Sequence, residues 1–242
     1  MHFRLVTYNI HKGIGGVDRR YRLERIIETV GMYDPDVVML QEVDDNVPRS
    51  RHDRQVDLLG DALGLKHRAF QPNVRLTRGH YGNAILSRFP LHDVVDIDLT
   101  VPLKKRRRAL AARCILRCDD HTRSLLLFNL HLGLASYERT IQMRKLLATE
   151  MLVHAHRDTP ILVAGDFNDI WARLGRRMLE PAGFRPTSHR VLTFPAVQPV
   201  RPLDRVYCRG HIEAMHCFAS RAKVSRYASD HLPLVADFEL PP

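Results

Sequence analysis

"LVAGDFNDI", residues 162–170, changes character halfway along. Leu162, Val163 and Ala164 run as a buried strand does. Gly165 then opens onto Asp166, Asn168 and Asp169 around a single aromatic, Phe167. Gly, Asn and Asp are ordinary turn residues, so a surface turn accounts for the stretch by itself. A site that handles metal, water or phosphate accounts for it equally. The other strands decide between the two, and with them the fold.

Strand-like segments recur at 3–10, 36–43, 82–87, 93–101, 109–118, 124–132, 160–167, 203–208, 211–218 and 232–240. Several alternate apolar and polar residues, as half-buried antiparallel strands do; others are continuously apolar and belong inside a sheet. Helical periodicity covers 22–33, 54–65, 137–156 and 172–184, the last stopped near Pro181 and Gly183. No Gly/Ser linker, low-complexity tract or short repeat divides the chain, so residues 1–242 are expected to form a single domain. Many strands with few helices predict an α/β fold of two packed sheets flanked by helices, since a single parallel sheet needs a helix at nearly every crossover.

Polar residues recur at the ends of these strands. "LVTYNI" carries Asn9, "VVMLQEV" delivers Glu42, "LLLFNLHLG" delivers His131, and "ILVAGDFND" delivers Asp166 and Asn168. "RPLDRVY" begins a strand with Asp204, and "YASDHLPLV" begins one with Asp230 and His231. Singly, each is better read as a turn, cap or surface group. Together they supply carboxylates, amides and imidazoles at strand borders, where one sheet edge could collect them. Phosphoester hydrolysis needs that set. A hard divalent cation takes carboxylate and amide oxygens and keeps waters that a substrate can replace. Attacking water must be oriented and deprotonated, and the charge developing at phosphorus must be met by imidazolium, amide or metal.

The ordered motifs "TYNI", "LQEV", "GNAILS", "NLHLG", "GDFND", "LDRVY" and "SDHLPL", spanning residues 7 to 234, resemble those of the endonuclease/exonuclease/phosphatase superfamily. The resemblance implies a four-layer sandwich of two mixed, mainly antiparallel sheets between helices, with the site at one edge. It implies Mg²⁺ or Mn²⁺ as cofactor, Glu42 as principal metal ligand with Asn9 beside it, and Asp230 close to the metal. Asp166 would orient or deprotonate the attacking water, and Asn168 would hold that water or a phosphate oxygen. His231 would contact the scissile phosphate with Asp204 as its carboxylate partner, and His131 would be a second phosphate contact. Two departures stand out. His11 occupies a position that is acidic in some members. The region 75–85 has no glutamate to support His131, which is therefore expected to be less basic or to use another partner.

The chain carries 37 Lys and Arg against 27 Asp and Glu, a formal charge of +10, which favours anionic partners without choosing among them. "KKRRR" (104–108) reads first as a solvated loop. If 109–118 and 124–132 pair as a hairpin, however, that loop overhangs the edge that holds His131, and Arg106 and Arg107 become candidate substrate contacts. Arg51 in "PRSRHDR" and Tyr81 and Asn83 in "RLTRGHYGN" are further candidates on the same rim. The lone tryptophan, Trp171, is expected to pack the loop behind the site.

The expected activity is hydrolysis of a phosphodiester, in nucleic acid or in a phospholipid or other small diester, with peripheral membrane contact open. The alternatives are a phosphomonoesterase of the inositol-phosphatase kind and a non-catalytic phosphate-binding module. No segment approaches the roughly 20 apolar residues of a spanning helix, and "MHFRLVTYNI" lacks the layout of a signal peptide. A soluble, cytoplasmic protein is therefore expected. Cys114, Cys118, Cys208 and Cys217 lack zinc-site spacing and read as reduced structural thiols.

Overall fold

The computed structural model describes residues 1–118 and 121–241. In chain order the elements are β1 (His2–Asn9), α1 (Leu23–Gly31), β2 (Val37–Asp45), α2 (Gln55–Ala62), β3 (His67–Arg75) and β4 (His80–Ser87). There follow β5 (Leu91–Asp98), β6 (Arg108–Cys118), β7 (His121–His131), α3 (Ser136–Leu147), α4 (Glu150–Val153) and β8 (Ile161–Asp166). The chain ends with β9 (Arg185–Pro186), β10 (Asp204–Arg209), β11 (Glu213–Ala219), α5 (Ser225–Ala228) and β12 (Leu234–Glu239).

The strands form two mixed sheets of six. The first runs β11-β12-β1-β2-β4-β3, the second β5-β6-β7-β8-β10-β9. In each, one parallel pair, β1 with β2 or β7 with β8, is linked through a helical crossover, and the remaining neighbours are antiparallel.

Side-chain alternation makes the layers. Phe3, Leu5, Val37 and Met39 of the first sheet meet Leu125, Leu127, Leu162 and Ala164 of the second between the sheets. The intervening residues face outward. Val6, Tyr8, Val38 and Leu40 lie under Leu23, Ile26 and Val30 of α1 and Leu59 of α2. Leu126, Phe128, Leu130 and Val163 lie under Met143 and Leu146 of α3. The result is the expected helix–sheet–sheet–helix sandwich.

Three local readings differ. β3 was not among the expected strands: "HRAFQPNVR" has little apolar alternation and contains Pro72, which a strand at the edge of a sheet tolerates. The long helical stretch at 137–156 is broken at Ala148 and Thr149 into α3 and α4. The stretch at 172–184 forms a π turn, Gly175–Leu179, and a 3-10 turn, Glu180–Ala182, rather than a regular α-helix. Pro181 interrupts it, and Gly175 lies so close to the Tyr207 hydroxyl that a β-carbon would collide there. Cys114 and Cys208 are buried free thiols and Cys217 is a partly buried one; the packing expected of the Cys118 side chain lies outside the described residues.

Between the sheets, the inward positions stay apolar until their last members. Gln41 and Asn129, both fully buried, end the apolar run from opposite sheets. Gln41 Nε2 donates to Asn129 Oδ1 at 2.7 Å and to Thr7 Oγ1 at 3.1 Å. Asn129 Nδ2 donates to the carbonyls of Leu40 and Ala84, both at 2.9 Å. Those two residues form the last regular β2–β4 pair before a bulge between Leu40 and Val43. The amide thus meets carbonyls where the ladder breaks.

Truncating Asn129 strands these buried groups, each at about 1–3 kcal/mol. Urea unfolding of Asn129→Ala should show a loss on the order of 3 kcal/mol, while the exposed Leu58→Ala should stay within roughly 0.5 kcal/mol of the parent. Equal effects would show that the amide bridge does not hold the sheets.

Candidate active site

One edge of the sandwich collects the C-terminal ends of β1, β2, β7 and β8 and the N-terminal ends of β10 and β12. Inward alternation delivers Asn9, His131, Asp166 and Asp204 to the gap between the sheets. Glu42 breaks the alternation. It sits within the bulge of β2 at φ 58°, and the extra residue re-aims a side chain that a regular strand would send outward. Gly165 precedes Asp166 at φ 137°, where a β-carbon would strike the carbonyl of Leu130 on the neighbouring strand. This answers why glycine stands between the apolar run and the carboxylate.

Asp166, 2% exposed, is the hub. Its Oδ2 accepts from Asn9 Nδ2 at 3.2 Å and lies 3.5 Å from His131 Nε2 and 3.8 Å from His231 Nε2. Its Oδ1 accepts from the Asn168 amide at 3.0 Å. Asn168 holds a left-handed φ of 50°, which asparagine tolerates well, and its side chain donates to the Leu132 carbonyl at 3.0 Å. His231 Nδ1 bonds Asp204 Oδ2 at 2.8 Å, which orients the ring and leaves Nε2 toward Asp166. Ser229 ties this loop to β1 by donating to the Asn9 carbonyl at 2.7 Å.

The two histidines are driven in opposite directions. Burial pulls His231 down, but Asp204, Asp166 and Asp230 overcome it and hold the ring protonated up to about 10. Burial and then the Arg107 guanidinium push His131 down to about 4, against the pull of Asp166 and Glu42. The buried Nδ1 of His131 has no hydrogen-bond partner among the described residues, in line with the missing glutamate in 75–85. Burial raises Asp166 against the attraction of both rings, which favours its acting as a proton acceptor. Burial also opposes ionisation of Glu42, yet His131, Lys12 and His11 together lower its carboxyl to about 2.

Lys12 was not singled out in the sequence. It follows Asn9 in a tight turn at φ 64°, and its ammonium bonds the Glu42 carboxylate. It also lies 5.6 Å from the centroid of the Tyr81 ring. Tyr81 belongs to this cluster: burial and the Glu42 charge push its phenol well above the usual value, and the Arg107 charge opposes that shift. Asp230 Oδ1 lies 4.0 Å from His11 Nδ1 and 3.3 Å from Ser229 Oγ. Asn83 is fully buried, its amide donating to Gln71 Oε1 and to the Arg108 carbonyl, so it braces the start of β6 from inside.

The basic candidates divide. The β6–β7 hairpin does form, so the loop at 99–107 lies at the site edge. Arg107 reaches the electrostatics of His131 and Tyr81, whereas Arg106 is exposed. Arg51 stacks over Tyr21 at 5.7 Å, outside the cluster. Trp171 does not pack behind the site: it is 66% exposed, three residues after Asn168.

Glu42, Asp230 and the Asn9 amide are hard oxygen donors of the kind a magnesium-like ion takes. Among the described residues no group of three His, Cys, Asp or Glu side chains is close enough to hold an ion. The set therefore fits a cation held by one or two carboxylates and completed by waters and substrate oxygens, and does not fit a closed zinc site.

The pKa shifts set a stability profile for the metal-free protein. His231 stabilises the fold below its ordinary 6.5 and loses that contribution as pH rises toward about 10. His131 and Glu42 stabilise it at neutral pH and lose their contributions as pH falls from 6.5 toward about 4 and from 4.5 toward about 2. The melting temperature in EDTA should peak near neutrality, and His231→Asn should flatten chiefly the alkaline limb. An alkaline limb unchanged in that variant would remove His231 as its source.

Comparison with known proteins gives the chain its family and matches its fold. The sequence profile described as "Endonuclease/Exonuclease/phosphatase family" matches residues 6–231. YbhP of Escherichia coli K12, itself uncharacterized, is 30% identical over 253 aligned residues, covering 98% of this chain and 96% of YbhP. Among solved structures, an endonuclease/exonuclease/phosphatase from Beutenbergia cavernae superposes with TM-score 0.80 at 23% identity, covering 99% of this chain and 72% of that one. D. rerio TDP2 in complex with a single-strand DNA product superposes with TM-score 0.71 at 20% identity, covering 98% and 99%. With the profile spanning nearly the whole length and the YbhP alignment running end to end, the chain belongs to the endonuclease/exonuclease/phosphatase family.

Proposed function

We propose that the chain is a divalent-metal-dependent phosphodiesterase that hydrolyses its substrate by in-line attack of water. The carrying observation is that a single oxygen of Asp166 is approached by Asn9, His131 and His231 at once. Asp166 accepts the proton of the attacking water, and the side-chain oxygen of Asn168 helps orient it. The His231 imidazolium, fixed by Asp204, faces the charge that develops on the phosphoryl oxygens. His131 is neutral at physiological pH and donates or accepts a hydrogen bond rather than a charge. Lys12, Tyr81 and Arg107, grouped with Glu42 and His131, suit a phosphate oxygen. Glu42 and Asn9, with Asp230 nearby, would hold Mg²⁺ or Mn²⁺, which supplies charge to polarise the ester.

The rim favours a membrane phospholipid as the diester over nucleic acid. Leu103 and Leu134 project fully or largely into water at 103% and 77% exposure, beside the exposed Lys104, Lys105 and Arg106. Leucines in water beside cations, with Lys104 over the ring of the exposed Tyr137 at 5.4 Å, suit an anionic lipid interface, which takes apolar side chains, aromatics and cations together, whereas contact with bases leaves the two leucines unexplained.

With bis-p-nitrophenyl phosphate, Asp166→Asn and His231→Ala should each lose about 100-fold or more in turnover. EDTA should abolish turnover, and Mg²⁺ or Mn²⁺ should restore it. Arg107→Ala should chiefly raise KM. Cleavage of phosphatidylglycerol vesicles but not plasmid DNA is expected, with the reverse overturning the lipid reading. Full activity in Asp166→Asn would end the catalytic assignment.

A further inference from the structure

Strand β10 carries two adjacent side chains to opposite faces. Asp204 points between the sheets to His231, whereas Arg205 points to the outer face of the second sheet. Arg205 is 8% exposed. One Nη2 hydrogen bond runs to the Asp169 carbonyl at 3.0 Å, the buried Nε has no partner, and no carboxylate pairs with its guanidinium among the described residues. A buried cation without a counterion is costly. It points into a cavity of about 340 Å³ that is also lined by Trp171, Arg176, Ser188, His189 and Arg190. Glu180 is the one carboxylate on the wall, against three arginines. Arg176 spends one Nη2 contact on the Trp171 carbonyl at 2.9 Å, and both Arg176 and Arg190 are exposed at the mouth.

We propose that this cavity is a second anion site, separate from the catalytic gap, that takes a phosphate group. Three guanidinium forks and a serine hydroxyl match a tetrahedral oxyanion, and the ligand's charge supplies the counterion that Arg205 lacks. Trp171 at the mouth offers a face to whatever the phosphate is attached to. Ile170, Trp171 and Ala172 on its wall follow Asp166 and Asn168 directly in the chain. The bound phosphate is therefore either a second phosphate of the substrate or a free phosphate acting as an effector.

Trp171 is the only tryptophan in the chain, so its fluorescence reports on this mouth. Inorganic phosphate is titrated into the metal-free protein in EDTA. A saturable change is expected, weakened about tenfold for each arginine lost in Arg176→Ala, Arg190→Ala and their double variant. The change should persist in His231→Ala, which disables the catalytic gap. Arg205→Met extends the series, while the exposed pair carries it should that variant not fold. No saturable change, or one that survives the double variant or disappears with His231→Ala, overturns the proposal.

The source is then resolved with active protein, an arm that rests on the phosphodiesterase reading. A substrate phosphate predicts that the double variant raises KM for a diester bearing a second phosphate and leaves bis-p-nitrophenyl phosphate unaffected. An effector predicts that added phosphate changes the bis-p-nitrophenyl phosphate rate in the parent but not in the double variant. Inactivity of the parent on every ester would count against the catalytic reading and leave the fluorescence result standing.

Discussion

The amide bridge between Gln41 and Asn129 is the constraint on which the site depends. Two sheets packed only through leucines and valines could slide by a residue at small cost, because apolar contact has no direction. A hydrogen-bonded pair of buried amides has direction and a penalty for being broken. Gln41 immediately precedes Glu42, and Asn129 stands two residues before His131. Fixing the first pair therefore fixes the second. The cavity edge inherits its geometry from a contact one layer deeper in the core.

On that frame the electrostatics separate two imidazoles that share one carboxylate oxygen. His231 has Asp204 at hydrogen-bond distance and keeps its proton, whereas His131 has an orphaned Nδ1 and a guanidinium in its field and loses its own. One ring brings charge to the edge and the other brings a neutral dipole. Had both been protonated, they would have repelled each other across Asp166. The difference traces to the Asp204 partner of one ring, and to burial and Arg107 acting on the other, whose Nδ1 has no partner among the described residues.

Much of this was legible in the sequence because it is written in parity. On β7 and β8 the inward positions read Leu125, Leu127, Asn129, His131 and Leu162, Ala164, Asp166, apolar until the end. A period of two and a polar terminus are visible without coordinates, and they yielded the sandwich and the shared edge. What stayed hidden does not repeat. β3 lacks alternation and contains a proline. The segment 172–184 has helical periodicity, but the close packing of Gly175 on Tyr207 and the break at Pro181 are tertiary facts. Lys12 looked like one basic residue among many, since only the left-handed turn after Asn9 shows that it doubles back onto Glu42. Trp171 was expected inside because indoles usually are, and nothing local to "NDIWAR" reveals that its loop faces water.

That doubling back of Lys12 has a bearing on how the chain matures. A partly buried carboxylate held ionised at an interior edge would oppose folding if it stood alone. A tethered ammonium supplies the opposite charge from within the polypeptide, so the edge is electrically balanced as soon as β1 and β2 pair. Small domains whose ligands stay uncompensated until an ion arrives can assemble only around that ion. With Lys12 bonded to Glu42 the scaffold has a counter-charge of its own, so under the proposed metal role of Glu42 a cation arriving there would exchange with a side chain rather than fill a charge vacuum.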